Sequence, residues 1–352
     1  MFSPSTFRDL VSGRRRGMNA SLLRGLLRLA EFPYGWVVRY RNRRYDRHSA
    51  PIHTVNVPVV CVGNLTLGGT GKTPLVEWLA RRYGSQGVRV AIVSRGYGAR
   101  AGIPNDEALE LAQALPGVPH VQNADRVSAA VEAINQYATE LIVLDDGFQH
   151  RRLGRDLDVV LLDASEPFGM EHLFPRGTLR EPLDSLRRAD AVVLSRATLL
   201  DQSGRDTIRQ RVACLAPQAV WCEVDHQPSC LVNQSGQQMP LEHLAGRPLV
   251  AFCGIGNPIG FRHTLTALGC QPIAWREFAD HHAYPRHEIN ALESWASTEN
   301  SELAVCTRKD LVKLKTDRLG TVPLWALAIE LQFLRGQSEF ESLLMTKLRV
   351  EN

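Results

Sequence analysis

From Val57 onward, short uninterrupted apolar runs alternate with segments of helical pattern. The runs are Val57–Gly63, Val88–Ser94, Leu141–Asp146, Val159–Asp163 and Ala191–Ser195. Helices are predicted between several of them, for example at Pro74–Tyr83 and Arg126–Tyr137. Because the runs are apolar at consecutive positions, both faces of the predicted strands are expected to be covered. The sequence therefore predicts an α/β fold built on a mostly parallel sheet with flanking helices.

The length of the chain and a second strand–helix pattern indicate two domains. A chain of 352 residues exceeds the usual size of a single hydrophobic core. Leu249–Cys253 starts a new strand–helix pattern after a loop-rich stretch that contains Pro and Gln. We expect an N-terminal arm, a core domain, a linker, a smaller α/β domain and a C-terminal helix, with the boundaries 1–50, 51–215, 216–242, 243–335 and 336–352.

Positive charge is concentrated in the arm. Its eleven arginines stand against Asp9, Glu31 and Asp46, a net charge of +8, so the rest of the +4 chain carries −4. Nucleic-acid-binding domains have a basic surface of their own, which this distribution does not provide. No nucleic-acid partner is therefore predicted.

The arm also has the pattern of an interfacial helix. Leucines recur at helical spacing from Leu22, with arginines on another face, and Pro33 is expected to limit the helix. Trp36 and Tyr40 then alternate with arginines, as aromatic and basic residues do at a membrane interface. No run reaches the ~18 apolar residues that a spanning helix requires. The arm either lies on an anionic membrane surface or packs against its own domain.

A glycine-rich loop follows the first predicted strand. Gly68-Gly69-Thr70-Gly71-Lys72-Thr73 has the second half of the phosphate-binding pattern G-x-x-x-x-G-K-[ST], with Thr66 in the place of the first glycine. Glycines allow successive backbone N–H groups to point at phosphate oxygens. Lys72 is expected to reach the β- and γ-phosphates, and the Thr73 hydroxyl to ligate Mg²⁺. The loop predicts a P-loop nucleotide site.

Two carboxylates end another predicted strand. Asp145 and Asp146 follow the apolar run that begins at Leu141. P-loop enzymes place such an acidic residue beside the metal ion. The two aspartates are therefore candidate Mg²⁺ ligands, although adjacent aspartates also start ordinary loops.

Several motifs together resemble the tetraacyldisaccharide 4'-kinases of lipid A biosynthesis. They occur in the order found in that family: Val62-Gly63-Asn64-Leu65-Thr66, the P-loop, Ser94-Arg95-Gly96-Tyr97-Gly98, Asp145-Asp146-Gly147-Phe148-Gln149-His150-Arg151-Arg152, Phe174-Pro175-Arg176-Gly177, Leu179-Arg180-Glu181-Pro182-Leu183, Gly254-Ile255-Gly256-Asn257-Pro258 and Asp280-His281-His282-Ala283-Tyr284. Thr307-Arg308-Lys309-Asp310 departs from the usual Thr-Glu-Lys-Asp. By contrast, the Asn-Lys-x-Asp motif of signalling GTPases is absent from the sequence.

The resemblance implies transfer of the ATP γ-phosphoryl group to the 4'-hydroxyl of a tetraacylated glucosamine disaccharide 1-phosphate, which gives lipid IVA. Asp106 is then the general base and His281 its partner, with Lys72 and Asp146 also catalytic. The nucleotide site is Thr66 with Gly68 to Thr73. The implied cofactors are ATP and Mg²⁺.

The resemblance also implies a set of substrate-binding residues, which are Glu107, Arg126, Gln149, His150 and Arg151. The acceptor is a membrane glycolipid, so the enzyme is expected to be peripheral, on the cytoplasmic face of the bacterial inner membrane. Two other functions fit the residues alone. One is a different P-loop NTPase, and the other is a nucleotide-binding adaptor that transfers no phosphoryl group.

Overall fold

The computed structural model describes residues 4–96, 106–280 and 282–348. These residues form two compact units, each assembled from separate stretches of the chain. Unit 1 is drawn from Met1–Arg95, Val118–Asp225 and Gln332–Asn352, and unit 2 from Gly96–Gly117 and His226–Leu331.

The strands are β1 (Val59–Asn64), β2 (Val90–Ser94), β3 (His120–Gln122), β4 (Leu141–Asp145), β5 (Leu157–Asp163), β6 (Ala191–Ser195), β7 (Val220–Val232), β8 (Gln238–Met239), β9 (Leu249–Cys253), β10 (Ala274–Glu277), β11 (Leu303–Thr307), β12 (Arg318–Leu319) and β13 (Val322–Arg335). The α-helices are α1 (Pro4–Val11), α2 (Met18–Asp46), α3 (Lys72–Gly84), α4 (Asp106–Ala114), α5 (Arg126–Tyr137), α6 (Gln202–Leu215), α7 (Pro258–Ala267), α8 (Arg286–Thr298), α9 (Arg308–Leu314) and α10 (Gln337–Lys347).

Unit 1 contains a parallel sheet in the order β7-β6-β5-β1-β4-β2-β3. Every residue of β1, β4, β5 and β6 is buried, as expected for strands covered on both faces. The α/β prediction is therefore confirmed. Strand β1 lies between β4 and β5, which brings the residues after β1 and after β4 to the same edge of the sheet.

Unit 2 has its own parallel strands, in the order β10-β9-β11-β13, with the short β12 antiparallel to β13. Its α4 packs against α9. A smaller α/β domain was expected here, but the boundaries differ from those predicted. The segment 96–117 belongs to this unit although the sequence placed it in the core domain.

The region 216–242 is not a structureless linker, because it contains β7 and β8. Strand β7 pairs with β6 through Val220 to Glu223, and its far end pairs with β8 at Leu231 and Val232. The polar residues that suggested a loop lie between the segment of β7 that pairs with β6 and the segment that pairs with β8. The predicted C-terminal helix is present as α10.

Pro33 does not end the helix of the arm, because α2 continues through it to Asp46. Proline removes one backbone hydrogen bond from a helix interior, a cost that tertiary contacts can offset. Here such contacts hold α2 on both sides of Pro33. Glu31 accepts from the Leu173 amide at 2.8 Å, and the Tyr34 hydroxyl donates to the Arg180 carbonyl at 2.9 Å. Asn42 Nδ2 donates to Glu181 Oε2 at 2.7 Å.

The opposite face of α2 is apolar and exposed. Its exposed large side chains recur every three or four residues, at Leu22, Leu26, Leu29, Phe32, Trp36 and Tyr40, and Val37 is exposed beside Trp36. The Trp36 and Tyr40 rings stack at 5.6 Å. One face of α2 therefore packs on unit 1, as the second alternative for the arm predicted, and the other face carries an uncovered apolar stripe. Among the residues described, no helix has the length and apolar character needed to cross a membrane.

Candidate active site

The phosphate-binding loop connects β1 to α3 in unit 1. Gly71 is the N-cap of α3 with φ 79°, and Gly68 has φ 114°. Glycine adopts this left-handed region without the penalty that a Cβ brings. No side chain caps the start of α3. The first turn therefore presents its backbone N–H groups and its positive dipole end to an anion.

The carbonyl groups of the loop are held by the end of β6. Ser195 Oγ donates to the Thr70 carbonyl at 2.7 Å, and Arg196 Nη2 donates to the Gly69 carbonyl at 3.3 Å. Anchoring through carbonyl oxygens fixes the loop without using the amides of these two residues. Thr70 Oγ1 is buried and has no hydrogen-bond partner among the described residues.

Two close approaches bring the acidic motif beside the loop. A Cβ on Gly63 would lie 2.5 Å from Phe148 Cβ, so only glycine permits this contact. Gln149 Nε2 donates to the Asn64 carbonyl at 2.8 Å. The end of β1 is thereby joined to the residues that follow β4.

Asp146 is at the centre of a charged cluster. Lys72 Nζ lies 3.3 Å from Asp146 Oδ1, and Arg180 Nη1 lies 3.0 and 2.9 Å from the two carboxylate oxygens. Burial raises the pKa of Asp146, but the charges of Lys72 and Arg180 outweigh it, so the pKa is below its usual value. Asp146 is therefore ionised at neutral pH. The sequence assigned no role to Arg180, whose motif gave no sign that it reaches this carboxylate.

The residues expected at the metal have suitable chemistry. Asp145 is buried at the end of β4, where it pairs in register with Val62 of β1. Thr73 lies in the first turn of α3, next to Lys72. A hydroxyl and two carboxylates form an all-oxygen donor set, which is the set that Mg²⁺ prefers. The donor set fits Mg²⁺.

Arg126 begins α5 and is buried. Burial lowers the pKa of Arg126, as does the positive charge of Arg95, while Asp146 and Asp145 oppose the shift. Arginine remains protonated through such shifts. Its Nη1 donates to the Ala124 carbonyl at 2.9 Å, and its buried Nε has no partner among the described residues. Arg126 is therefore a buried cation with a free donor.

His150 is half-buried in the same unit. Burial lowers the pKa of His150 to about 4, and the positive charges of Arg126 and Arg155 contribute further. Its side chain is neutral at pH 7. It can exchange hydrogen bonds with a ligand, but it adds no positive charge to the site.

Arg151 and Arg152 each pair with a carboxylate. Arg151 Nη1 lies 2.7 Å from Asp46 Oδ1, and its guanidinium lies 5.2 Å from the centre of the Tyr45 ring. Arg152 Nη1 lies 2.9 Å from Asp125 Oδ2. Arg151 thus ties the acidic motif to α2, a contact not expected from the sequence.

Asp106 lies in unit 2, as the first residue of α4, with Glu107 beside it in the same turn. Lys313 of α9 is almost fully buried, and its Nζ lies 2.9 Å from Asp106 Oδ2. The proposed partner, His281, is outside the described residues. Its neighbour His282 pairs with Glu288.

The motifs of unit 2 converge on one buried carboxylate. Asp310 accepts hydrogen bonds from the Gly254 amide at 3.1 Å, the Tyr284 hydroxyl at 2.9 Å and Thr307 Oγ1 at 2.6 Å. The Thr307 hydroxyl also accepts from the Asp310 amide, so it caps the N-terminus of α9. These motifs hold the end of β9 to the start of α9. Arg308 stands where the family usually has Glu, and this departure leaves the network around Asp310 intact.

Comparisons with known proteins agree on one family. The family model "LpxK: Tetraacyldisaccharide-1-P 4'-kinase" matches residues 23–349. Tetraacyldisaccharide 4'-kinases from Syntrophus aciditrophicus and Anaeromyxobacter sp. strain K are 36% and 38% identical, over 92% and 94% of this chain and 93% and 92% of their own. The crystal structure of LpxK from Aquifex aeolicus in complex with ATP matches with a TM-score of 0.74 and 30% identity, covering 93% of this chain and 99% of that one.

Proposed function

The chain belongs to the tetraacyldisaccharide 4'-kinase family, and we propose that it transfers the γ-phosphoryl group of ATP to the 4'-hydroxyl of tetraacyldisaccharide 1-phosphate, which gives lipid IVA. Within the chain, this proposal is supported by the ion pair between Lys72 and Asp146, which lies beside the uncapped N-terminus of α3. Such an arrangement places a cation and a metal-binding carboxylate where phosphate oxygens bind.

ATP is held by Thr66 and by the loop from Gly68 to Thr73. The amides of the first turn of α3 and the helix dipole favour the phosphate groups. Lys72 reaches the β- and γ-phosphates, and Arg180 supplies a second cation beside it. The two cations stabilise the charge that spreads over the transferred phosphoryl group.

Thr73, Asp145 and Asp146 would hold Mg²⁺. When bound, the ion neutralises charge on the phosphate oxygens. Asp146 is already ionised and therefore ready to act as a ligand.

Asp106 accepts the proton of the acceptor hydroxyl, with His281 as its partner. A base placed at the reacting hydroxyl contributes roughly 10²–10⁴-fold to the rate of such reactions. The nearly buried Lys313 Nζ, 2.9 Å from Asp106 Oδ2, fixes the direction of the Asp106 carboxylate. We assign Lys313 a positioning role.

Glu107, Arg126, Gln149, His150 and Arg151 are proposed to contact the substrates. The buried charge and free Nε of Arg126 suit a phosphate oxygen. His150 is neutral and suits a sugar hydroxyl. Arg151 differs from the other residues of this set because its guanidinium already pairs with Asp46. To bind a substrate phosphate, Arg151 has to break this ion pair or bind Asp46 and the phosphate together.

The exposed stripe of α2 is proposed to lie on the cytoplasmic face of the bacterial inner membrane, as a peripheral contact. The stripe is apolar, and the arm around it is strongly basic. This combination fits anionic lipid, to which each nearby arginine contributes about 1 kcal/mol. An acceptor with four acyl chains would meet the enzyme at this surface. The charge pattern gives no reason to propose a nucleic-acid partner.

The deciding experiment follows label from [γ-³²P]ATP onto purified tetraacyldisaccharide 1-phosphate in detergent micelles with Mg²⁺. We expect labelled lipid with the wild type and none above background with Lys72→Ala. Lys347→Ala is the matched control, because Lys347 pairs with Asp190 at 3.2 Å on the surface of the same unit. ATP turnover without labelled lipid would move the chain to another P-loop activity, and the absence of any turnover would favour an adaptor.

A further inference from the structure

The first helix, α1, packs on unit 1 although it precedes the matched residues 23–349. Leu10 and Val11 are buried. The ring of Phe7 lies 6.1 Å from that of Phe174. The Val11 carbonyl at the end of the helix accepts from Arg176 Nη1 at 3.0 Å. These contacts fix α1 in place rather than leaving it as a loose terminus.

This packing places the Arg8 side chain over the phosphate-binding loop. A Cβ on Gly68 would lie 2.5 Å from Arg8 Nη2 and 3.8 Å from Cζ, and no other atom comes within 4 Å. The Arg8 guanidinium therefore covers the exposed side of the Gly68 backbone. Arg8 is itself exposed, and among the described residues no carboxylate forms an ion pair with it.

A guanidinium at this point is within reach of bound phosphate. Gly68 belongs to the loop whose amides surround the phosphate groups. Arginine binds phosphate through two parallel N–H groups, whereas lysine acts as a point charge. Arginines supplied to P-loop sites from outside the loop stabilise the transition state, some from the same chain.

We propose that Arg8 contacts the β- or γ-phosphate of bound ATP and stabilises the transferring phosphoryl group. The helix that carries Arg8 precedes residues 23–349, which the family model matches. The catalytic part of this inference rests on the proposed kinase function. The binding part depends only on ATP occupying the loop.

The test compares Arg8→Ala, Arg8→Lys and the control Arg209→Ala, which removes an exposed arginine from α6 of the same unit. Binding of ATP and of AMP is measured by calorimetry without lipid, and kcat and KM for ATP are measured in the lipid-labelling assay. For Arg8→Ala we expect ATP binding to weaken about tenfold and kcat to fall by roughly 10²–10³-fold. AMP binding is expected to be unchanged, because AMP has neither the β- nor the γ-phosphate. Arg8→Lys should recover part of both losses.

Two readouts separate this inference from the proposed function and from a folding defect. If the wild type labels no lipid, the ATP-to-AMP comparison still decides whether Arg8 binds phosphate. The thermal unfolding midpoint of Arg8→Ala is expected to equal that of the wild type, because the side chain is exposed. Equal ATP affinity in Arg8→Ala and wild type, or equal weakening of ATP and AMP, would overturn the proposal.

Discussion

Lys72 and Asp146 form an ion pair of 3.3 Å between the start of α3 and the residue after β4. The pair joins the two halves of the nucleotide site across neighbouring strands, and Arg180 completes it from a third segment. Because one carboxylate faces two cations, the cluster keeps an excess of positive charge that can meet an incoming phosphate.

Asp146→Asn removes the negative charge from this cluster and leaves Lys72 and Arg180 uncompensated. Metal-free ATP should then bind as tightly as to the wild type or more tightly, because repulsion of the phosphates is reduced. Mg²⁺-dependent transfer should fall by roughly 10²–10³-fold, as when one electrostatic contact of a transition state is lost. Asp190→Asn, which alters the surface pair with Lys347, serves as the control. Weaker metal-free ATP binding in Asp146→Asn would contradict this account.

Asp106→Asn keeps the size of the proposed base and removes its proton affinity. We expect kcat for lipid phosphorylation to fall by roughly 10²–10⁴-fold, with ATP affinity unchanged by calorimetry. Lys313→Met should lower kcat less, with a changed pH profile, because it removes a partner of the base and leaves the base itself. Glu299→Gln, at an exposed carboxylate of unit 2, should have no effect. A wild-type kcat for Asp106→Asn would exclude Asp106 as the base.

Asp310→Asn tests the buried network of unit 2. The carboxylate is fully buried and accepts from three groups, and an amide replaces one acceptor oxygen by a donor. The loss of charge-assisted hydrogen bonds should reduce the free energy of unfolding by roughly 2–4 kcal/mol. Tyr284→Phe removes a single donor and should cost about 1–2 kcal/mol. Denaturant unfolding of both variants measures the two losses of stability. A Tyr284→Phe variant less stable than Asp310→Asn would contradict the central position of Asp310 in this network.

His120 makes the protein sensitive to acid. Burial lowers the pKa of His120 to about 4 in the folded protein, against about 6.5 in the unfolded chain. Between these values the unfolded chain binds more protons, so stability falls as pH decreases from 6.5 toward 4. Above pH 6.5 this group contributes no pH dependence. His120→Gln should reduce the fall of the thermal midpoint across that window, and the fall that remains includes the contribution of His150, whose pKa is also lowered to about 4. His287→Gln, at an exposed position, should leave the slope unchanged.

Leu29→Asp and Phe32→Asp introduce charge into the exposed stripe of α2. Both side chains are more than 60% exposed, so folding should tolerate the changes. Flotation with anionic vesicles should show reduced binding, while ATP binding in solution stays the same. Leu199→Asp, at an equally exposed leucine outside the arm, is the matched control. These substitutions test the stripe more specifically than a deletion of residues 1–45 would. The deletion would also remove Glu31, Tyr34 and Asn42, which form hydrogen bonds with the rest of unit 1. Undiminished vesicle binding would remove the membrane role from this stripe.

The sequence predicted best what depends on short stretches. Strands β6 and β9 and helix α5 have the bounds that the apolar pattern predicted, and the glycine-rich loop lies between a strand and a helix as expected. The predicted C-terminal helix at 336–352 corresponds to α10. Such features depend on local periodicity and on turn residues, which a single sequence displays directly.

What the sequence missed depends on residues far apart in the chain. Arg180 reaches Asp146 over a separation of thirty-four positions, and Arg8 reaches Gly68 over sixty. Pro33 suggested a helix end because the contacts that carry α2 through it come from distant segments. The sequence of β7 reads as a linker because consecutive polar residues and Pro228 interrupt its apolar pattern, and its pairing partners are not visible in the sequence.

Unit 1 is assembled from stretches that lie far apart in the chain, and this affects how it folds during synthesis. Phe340 of α10 is fully buried, with its ring 6.0 Å from that of Trp78 in α3. Translation proceeds from the N-terminus, so the ribosome makes the nucleotide-binding loop well before this helix. The core around Trp78 therefore cannot close on the nascent chain until α10 has emerged, and a premature stop shortly before Gln337 would leave that core open to water.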